Sequence, residues 1–129
     1  MHPPGRDERL MQARRVRKRQ DFLRIQSTGR KVRSFNMLVV FIFKEAGEES
    51  RLGITTTRKI DKRAARRNRF KRRVREYFRR ERRRFIREAD IVVIALDGAC
   101  ELSYDEVAFQ LRFAMRKVGV LPDRRKAKE

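Results

Sequence analysis

The side chains best placed to do chemistry form a single basic run between Arg58 and Arg87. This run holds 17 Lys and Arg and 3 acidic residues, so +14 of the chain's formal net charge of +20 lies within 30 residues. Such side chains neutralise phosphates. Because like charges at neighbouring positions repel each other, an anionic partner is needed to make this density favourable. The sequence therefore predicts a polyanionic partner, nucleic acid before membrane.

The spacing of apolar residues predicts that the basic run folds as a long amphipathic helix. No Gly or Pro interrupts the run, and Arg, Lys, Glu and Ala favour helix. At the helical repeat, one arc of about 100° is apolar, and it comprises Phe70, Val74, Tyr77, Phe78 and Phe85. The opposite arc comprises Ala65, Asn68, Arg69, Arg72, Arg75, Arg79 and Arg83. A merely solvated face is the alternative interpretation, but solvated faces mix charges of both signs.

Two other features of the basic run concern single residues, Glu76 and Ala65. Glu76 lies four residues from both Arg72 and Arg80, so it is spaced to order their guanidinium groups. Ala65 is small, and its missing side chain lets a bulky partner approach the backbone.

The chain lacks the residues that a nuclease made of protein alone would need. The only histidine is His2 and the only cysteine is Cys100, which excludes a Cys/His dyad, a Ser/His/Asp triad and zinc-ligand spacing. No clustered acidic motif lies near the basic run to hold a catalytic metal. Asp61 is better explained as a helix N-cap. If this chain belongs to an enzyme, another component supplies the chemistry.

The segments before the basic run predict a short helix and two strands. The helix covers 19–27, carries Phe22 and stops at Gly29. An edge strand over 30–33 is followed by a strand over 35–44 with apolar residues on both sides, which indicates an interior strand.

A third strand follows the turn over 46–50 and begins near Leu52. One of its faces is small and hydroxylated, with no bulk over Gly53. This face suits an extended single strand of nucleic acid, and an ordinary solvent-facing strand is the equal alternative. The face comprises Gly53, Thr55, Thr57 and Lys59.

After the basic run, residues 90–96 form a continuous apolar stretch typical of a strand covered on both faces. Strand, helix and strand then make a crossover unit. Ser103 and Glu106 form a capping box that starts a final helix over 104–118, and Gly119 ends it. Its predicted buried residues are Val107, Ala108, Leu111, Met115 and Val118.

Length and composition predict one folded domain of 129 residues. We expect a flexible basic arm over 1–18, a folded domain over 19–122 and a flexible tail over 123–129, with either Met1 or Met11 as the start. The lone Cys100 fits a reducing compartment, and no apolar run is long enough to span a bilayer. A cytoplasmic location without membrane association is therefore expected.

The stretch over 51–79 resembles the protein subunit of bacterial ribonuclease P. A basic pair follows a strand that ends in hydroxyl residues, and an Arg-Asn-Arg motif, a Lys-Arg pair and spaced Arg and Phe residues come next. Here these are Arg58, Lys59, Arg67, Asn68, Arg69, Phe70, Lys71, Arg72, Arg75 and Phe78. The flanking segments agree, so the resemblance covers about residues 17–118.

The resemblance implies an α+β fold in the order α-β-β-β-α-β-α, with a four-stranded sheet packed by helices. This fold is similar to the second domain of a small-subunit ribosomal protein. In the family the crossover through the basic helix is left-handed, against the usual rule.

The resemblance also implies a division of labour. The protein binds the catalytic RNA and the single-stranded 5′ leader of precursor tRNA, while the RNA, with Mg²⁺, cleaves the leader. No cofactor bound by the chain and no DNA partner are expected. The residues implied or predicted to bind the catalytic RNA are Ala65, Arg67, Asn68, Arg69, Lys71, Arg72, Arg75 and Arg79, with Arg67 partly buried as well.

The leader cleft implied by the resemblance comprises Phe22, Thr55, Thr57 and Lys59. This chain has Gln26 and Leu38 where the family often has aromatic residues, so Phe35 and Met37 are expected to take over base contacts.

Two other functions remain open at this stage. A structural ribosomal or RNA-chaperone protein fits the charge, size and fold, and only the motif argues against it. A binder of duplex DNA fits less well, because a broad Arg face lacks the short recognition helix of base readout.

Overall fold

The computed structural model describes residues 15–122 and confirms the predicted order of elements. Two short 3₁₀ helices, Arg82–Arg84 and Ala99–Glu101, join the larger elements. No helix within the described range is long and apolar enough to cross a bilayer. The larger elements are α1 (Arg19–Thr28), β1 (Arg30–Ser34), β2 (Met37–Phe43), β3 (Arg51–Thr55), α2 (Ala64–Glu81), β4 (Ala89–Ala95) and α3 (Tyr104–Lys117).

The four strands form one mixed sheet in the order β1-β2-β4-β3. β4 runs antiparallel to β2 and parallel to β3, and α2 connects the parallel pair as the predicted crossover. Helices cover both faces of β4, which explains its continuous apolar sequence. The α+β fold class is therefore confirmed, while the handedness of the crossover stays a prediction.

The two faces of the sheet support separate cores. The larger core lies under α2 and α3, and the smaller one lies under α1, where Val16, Ile25, Val40 and Val92 are buried. Because α1 is the only described helix on its face, part of that face stays accessible.

The folded domain extends further toward the N-terminus than predicted. The backbone N–H of Val16 donates to the carbonyl of Leu52 at 3.0 Å, and the Val16 side chain is buried. The expected arm over 1–18 was therefore too long at its C-terminal end. Residues 1–14 and the predicted tail over 123–129 lie outside the described residues.

The helix within the basic run is shorter than the run itself. The apolar arc is confirmed for Phe70, Val74, Tyr77 and Phe78, all of which are buried. The helix ends at Glu81, and the chain turns so that the Phe85 ring packs edge-on against Phe78 at 5.6 Å between ring centroids.

The start of α2 differs from the prediction. Arg63, and not Asp61, occupies the N-cap position, and its side chain makes no capping hydrogen bond. The Asp61 carboxylate instead accepts a hydrogen bond from the Arg63 N–H at 2.9 Å in the preceding turn. This contact, followed by the charge of Arg66, lowers the pKa of Asp61.

The caps of the other helices follow the sequence. Ser103 and Glu106 make the reciprocal capping box at the start of α3, and Gly119 has a φ of +83° just after its end. Gly29 stops α1 in an extended conformation. It is required for space, since a Cβ there would lie 2.5 Å from a methyl carbon of Val40.

Candidate nucleic-acid interface

The outer face of α2 carries the predicted polar stripe. Ala65, Asn68, Arg69 and Arg72 are all exposed, and they follow one another at helical spacing. Their position follows from burial of the aromatic arc on the opposite side of the helix. The flanking residues Lys71 and Arg75 are partly buried. The structure therefore brings most of the predicted RNA-binding residues onto one surface, which we call the α2 stripe: Ala65, Asn68, Arg69, Lys71, Arg72 and Arg75.

The cations of the α2 stripe lack counter-charges in the described part of the chain. Within residues 15–122, no acidic side chain forms an ion pair with Arg69, Lys71, Arg72 or Arg75. Unbalanced charge of one sign on a surface creates a potential that attracts polyanions. The geometry therefore suits contact with a phosphate backbone.

The C-terminal part of α2 is different, because acidic residues neutralise its arginines. Glu76 pairs with Arg79 at 2.6 Å and with Arg80 at 2.8 Å. The hydrogen bond from Arg79 is the main reason why the pKa of Glu76 is lowered. The expected contact of Glu76 with Arg72 is not made. Arg79 is exposed as predicted, but it is already engaged by a carboxylate.

Arg67 has a positioning contact within the protein. Its Nη1 donates to the backbone carbonyl of Asp61 at 2.7 Å, and the residue is partly buried as predicted. Neighbouring Arg66 pairs with Asp61 at 3.5 Å and with Glu101 at 3.4 Å. These contacts fix the turn before α2 and set the direction in which the stripe faces.

A cleft runs along the uncovered part of the sheet face next to α1. Strand register aligns Leu38, Ile94 and Thr55 in one row across β2, β4 and β3. α1 covers the adjacent row, in which Val40 and Val92 are completely buried. The row of Leu38, Ile94 and Thr55 is only partly buried. It forms an apolar floor with a hydroxyl at one end.

Phe22 forms the wall of this cleft. Its ring lies on Gly53, where an added Cβ would be 2.7 Å from a ring carbon and 3.1 Å from Val16. The prediction of an open face above Gly53 is therefore wrong, because Phe22 and Val16 cover it. Thr55 lies two residues further along the same side of β3, beyond the covered position.

Two cleft residues predicted from the sequence need correction. Met37 is completely buried in the core under α2 and α3, so the prediction that it contacts the leader is wrong. Strand alternation gives the reason, since Met37 points away from Leu38. Phe35 is not part of β2. It lies in the β1–β2 turn with a φ of 47° and is 68% exposed.

The remaining predicted cleft residues are placed after the end of β3. Thr57 and Lys59 are exposed in the turn that leads toward α2, whereas Thr55 is the last residue of the strand. Along the chain, they lie between the cleft and the α2 stripe.

Sequence reasoning missed Ile94 as a cleft residue. Its stretch reads as uniformly apolar, and only the pairing of Ile94 with Leu38 and Thr55 shows that it lies on the uncovered row. In the described range, the structure brings together no group of three or more His, Cys, Asp or Glu that could hold a metal ion.

Comparisons with known proteins agree on one family. The family model described as ribonuclease P matches residues 10–119. The ribonuclease P protein component of Gluconacetobacter diazotrophicus is 36% identical, over 84% of this chain and 93% of that protein. The corresponding component of Desulfatibacillum aliphaticivorans is 38% identical, over 81% of this chain and 87% of that protein.

Solved structures of the same family share the fold. The ribonuclease P protein of Staphylococcus aureus superimposes with a TM-score of 0.75 at 28% identity, covering 84% of this chain and 97% of that chain. The Thermotoga maritima protein gives a TM-score of 0.69 at 34% identity, covering 80% and 96%. The chain therefore belongs to the ribonuclease P protein family, whose members are the protein component of a ribonucleoprotein endoribonuclease that processes the 5′ ends of tRNA.

Proposed function

We propose that this protein uses two surfaces within ribonuclease P. The α2 stripe binds the catalytic RNA, and the cleft beside α1 holds the 5′ leader of precursor tRNA. The observation that carries this proposal is the set of cations on the stripe that have no acidic partner among residues 15–122, together with a cleft with an apolar floor on the other face of the sheet.

The α2 stripe suits a folded RNA backbone. Arg69 and Arg72 project from adjacent helical turns, and Arg forms planar, two-pronged hydrogen bonds to phosphate oxygens. Exposed Ala65 at the start of the helix leaves room for the backbone of a bulky partner. Asn68, which lies between Ala65 and Arg69 along the helix, adds hydrogen-bonding groups for ribose or phosphate.

The cleft suits a single strand. Leu38 and Ile94 offer an apolar surface for bases, and the Phe22 ring stands at one side. Thr55 supplies a hydroxyl, while exposed Lys59 supplies a charge for the backbone. Such a mixture of apolar contact and nearby cations is typical of sites that bind single strands with little sequence preference.

Hydrolysis belongs to the RNA subunit in this proposal. The protein places the leader and screens the repulsion between the two RNAs, and Mg²⁺ is required by the assembled RNA–protein enzyme. The cytoplasmic location expected from the sequence stays a prediction.

The test is reconstitution with the cognate catalytic RNA. Cleavage of a precursor tRNA with a 5′ leader is measured at low Mg²⁺ with RNA alone, protein alone and both combined. We expect cleavage at the mature 5′ end when both are present and a lower Mg²⁺ requirement than with RNA alone. Cleavage by the protein alone, or no enhancement of the RNA, would contradict the proposal.

A further inference from the structure

Residue 15 adds to the edge of the sheet beside β3. Arg15 forms a parallel bridge with Leu52, and the next residue, Val16, donates its N–H to the same Leu52 carbonyl. Val16 is buried on the α1 side of the sheet, whereas Leu52 belongs to the core under α2. Since consecutive residues of an extended chain point to opposite faces, Arg15 points to the α2 side.

The Arg15 side chain has an unmet hydrogen-bonding group. Its Nε is buried and finds no hydrogen-bond partner within residues 15–122. Buried polar groups in folded proteins are usually satisfied. Because the fold leaves this guanidinium short of a partner while Arg15 is only partly buried, the accessible part of the side chain can take a ligand.

Arg75 of α2 is the neighbouring cation. It is partly buried, and no acid within the described range pairs with it. Burial and, next, the charge of Arg15 lower the pKa of Arg75. Arg15, on the α2 side of the sheet edge, and Arg75 of α2 are thus neighbouring cations without a described counter-charge.

Arg51, another partly buried cation of this protein, is balanced by a carboxylate. Arg51 holds Asp90 through two hydrogen bonds of 3.0 and 2.7 Å. Arg15 and Arg75 have no such carboxylate among the described residues, so the pair is open to an anion. A phosphodiester group offers two oxygens to such a pair.

We propose that Arg15 and Arg75 together hold one phosphate of the catalytic RNA. This inference rests on the proposed function, because it extends the α2 stripe across the edge of β3 to the first residue that the structure describes. Arg75 follows Arg72 by about one helical turn, so one RNA strand can contact the stripe and the pair in succession.

The experiment measures the affinity of the full chain for the cognate catalytic RNA over a series of KCl concentrations. Arg15→Gln, Arg75→Gln and the double variant are compared with the wild type. Arg33→Gln, which removes one exposed cation at the opposite edge of the sheet, is the control matched in charge. Arg72→Gln serves as a reference for the α2 stripe.

We expect Arg15→Gln to weaken binding and to reduce the slope of log K against log [KCl] by about 0.7 to 0.9, the value for one lost phosphate contact. The double variant should lose about the same slope as either single variant, because both side chains hold one phosphate. Arg15→Lys should recover part of the affinity. Arg33→Gln should change little.

Thermal unfolding of the free protein separates binding from folding. We expect Arg15→Gln to unfold at the wild-type temperature or above, since it removes like-charge repulsion. A lower unfolding temperature together with an unchanged salt slope would make Arg15 structural and overturn the inference. Unchanged RNA affinity for Arg15→Gln, with weakened binding for Arg72→Gln, would overturn the inference alone. Failure of the wild type to bind the RNA would instead overturn the proposed function.

Discussion

Two groups of basic side chains on opposite sides of the sheet are treated very differently by this fold. On the α1 side, the buried Asp90 carboxylate forms ion pairs with Arg51 Nη2 at 2.7 Å and with Lys44 Nζ at 3.0 Å. On the α2 side, Arg69 and Arg72 find no acidic partner among residues 15–122. The first group is neutralised inside the protein, and the second group is displayed.

This difference separates the charges that stabilise the fold from those that are available to a partner. Arg51 also reaches Asp21 of α1 at 3.4 Å, so the paired group ties α1 to the sheet and sets the width of the cleft. Unpaired cations contribute no such tie and raise the self-repulsion of the free protein. The net charge of +20 alone could not have separated the two groups.

Replacing the carboxylate of Asp90 should have the largest effect on the paired group. Asp90→Asn is expected to lower the free energy of unfolding by about 3 kcal/mol, because it leaves Arg51 and Lys44 without their buried carboxylate. Urea unfolding at pH 7 measures the loss. Asp97→Asn, at an exposed acid in the following loop, is the control and should change stability little. Equal effects of both variants would contradict a specific role for Asp90.

The pH dependence of unfolding tests the same ion pairs with the same variant. Burial alone would raise the pKa of Asp90, but the hydrogen bonds and charges of Arg51 and Lys44 outweigh burial and lower it. A carboxyl with a lowered folded pKa stabilises the protein above its unfolded pKa, about 4, and this contribution is lost as pH falls through the folded value. Below about pH 4, wild-type stability should therefore fall more steeply than that of Asp90→Asn.

The unpaired group is tested against two paired arginines, one in the last turn of α2 and one in the 3₁₀ helix that follows it. Arg69→Gln with Arg72→Gln should weaken binding of the catalytic RNA roughly 10- to 50-fold near 0.15 M salt and reduce the salt slope by about 1.4 to 1.8, as expected for two lost phosphate contacts. Arg80→Gln with Arg84→Gln removes the same charge from residues that acids already neutralise. The effect of this second pair should be several-fold smaller.

Titration of labelled RNA with each double variant measures both quantities. Identical losses for the two pairs would show that only total charge matters, and the distinction between paired and unpaired arginines would then be wrong. A further readout is the leader preference of the assembled enzyme, which neither pair should change.

Local patterns predicted the elements of this fold well. The aromatic arc that begins at Phe70 determined which side of α2 faces outward, and the capping box at Ser103 started α3 where expected. In both cases the deciding interactions lie within a few residues along the chain. That is why the α2 stripe could be predicted from sequence.

The cleft could not be predicted in the same way, because its residues meet only through strand register and helix packing. Met37 and Leu38 are adjacent apolar residues, and only the structure shows that the first is buried under α2 and α3 while the second lies in the cleft. Phe22 covers Gly53 across a long sequence separation. The Arg51–Asp90 pair likewise depends on the parallel pairing of β3 with β4.

The cleft wall is broken by a small change at Gly53. A Cβ in Gly53→Ala would lie 2.7 Å from the Phe22 ring, so the ring must move. We expect a loss of about 1 to 2 kcal/mol in stability from overpacking and a weaker preference for substrates with a leader. Affinities of the assembled enzyme for precursor and mature tRNA measure this preference. Catalytic-RNA binding should stay unchanged, and its loss would mean that the two surfaces are not independent.

The smallest expected effect is a gain in the cleft itself. Leu38→Tyr places an aromatic ring on the partly buried row beside Ile94, where a leader base can stack on it. Because one stacked base contributes about 1 to 3 kcal/mol at best and Leu38 already offers apolar contact, the affinity for precursor tRNA should rise only about two- to tenfold. Leu38→Met is the control without a ring and should leave the affinity as it is. Tighter binding of mature tRNA as well would show that the ring acts outside the leader site.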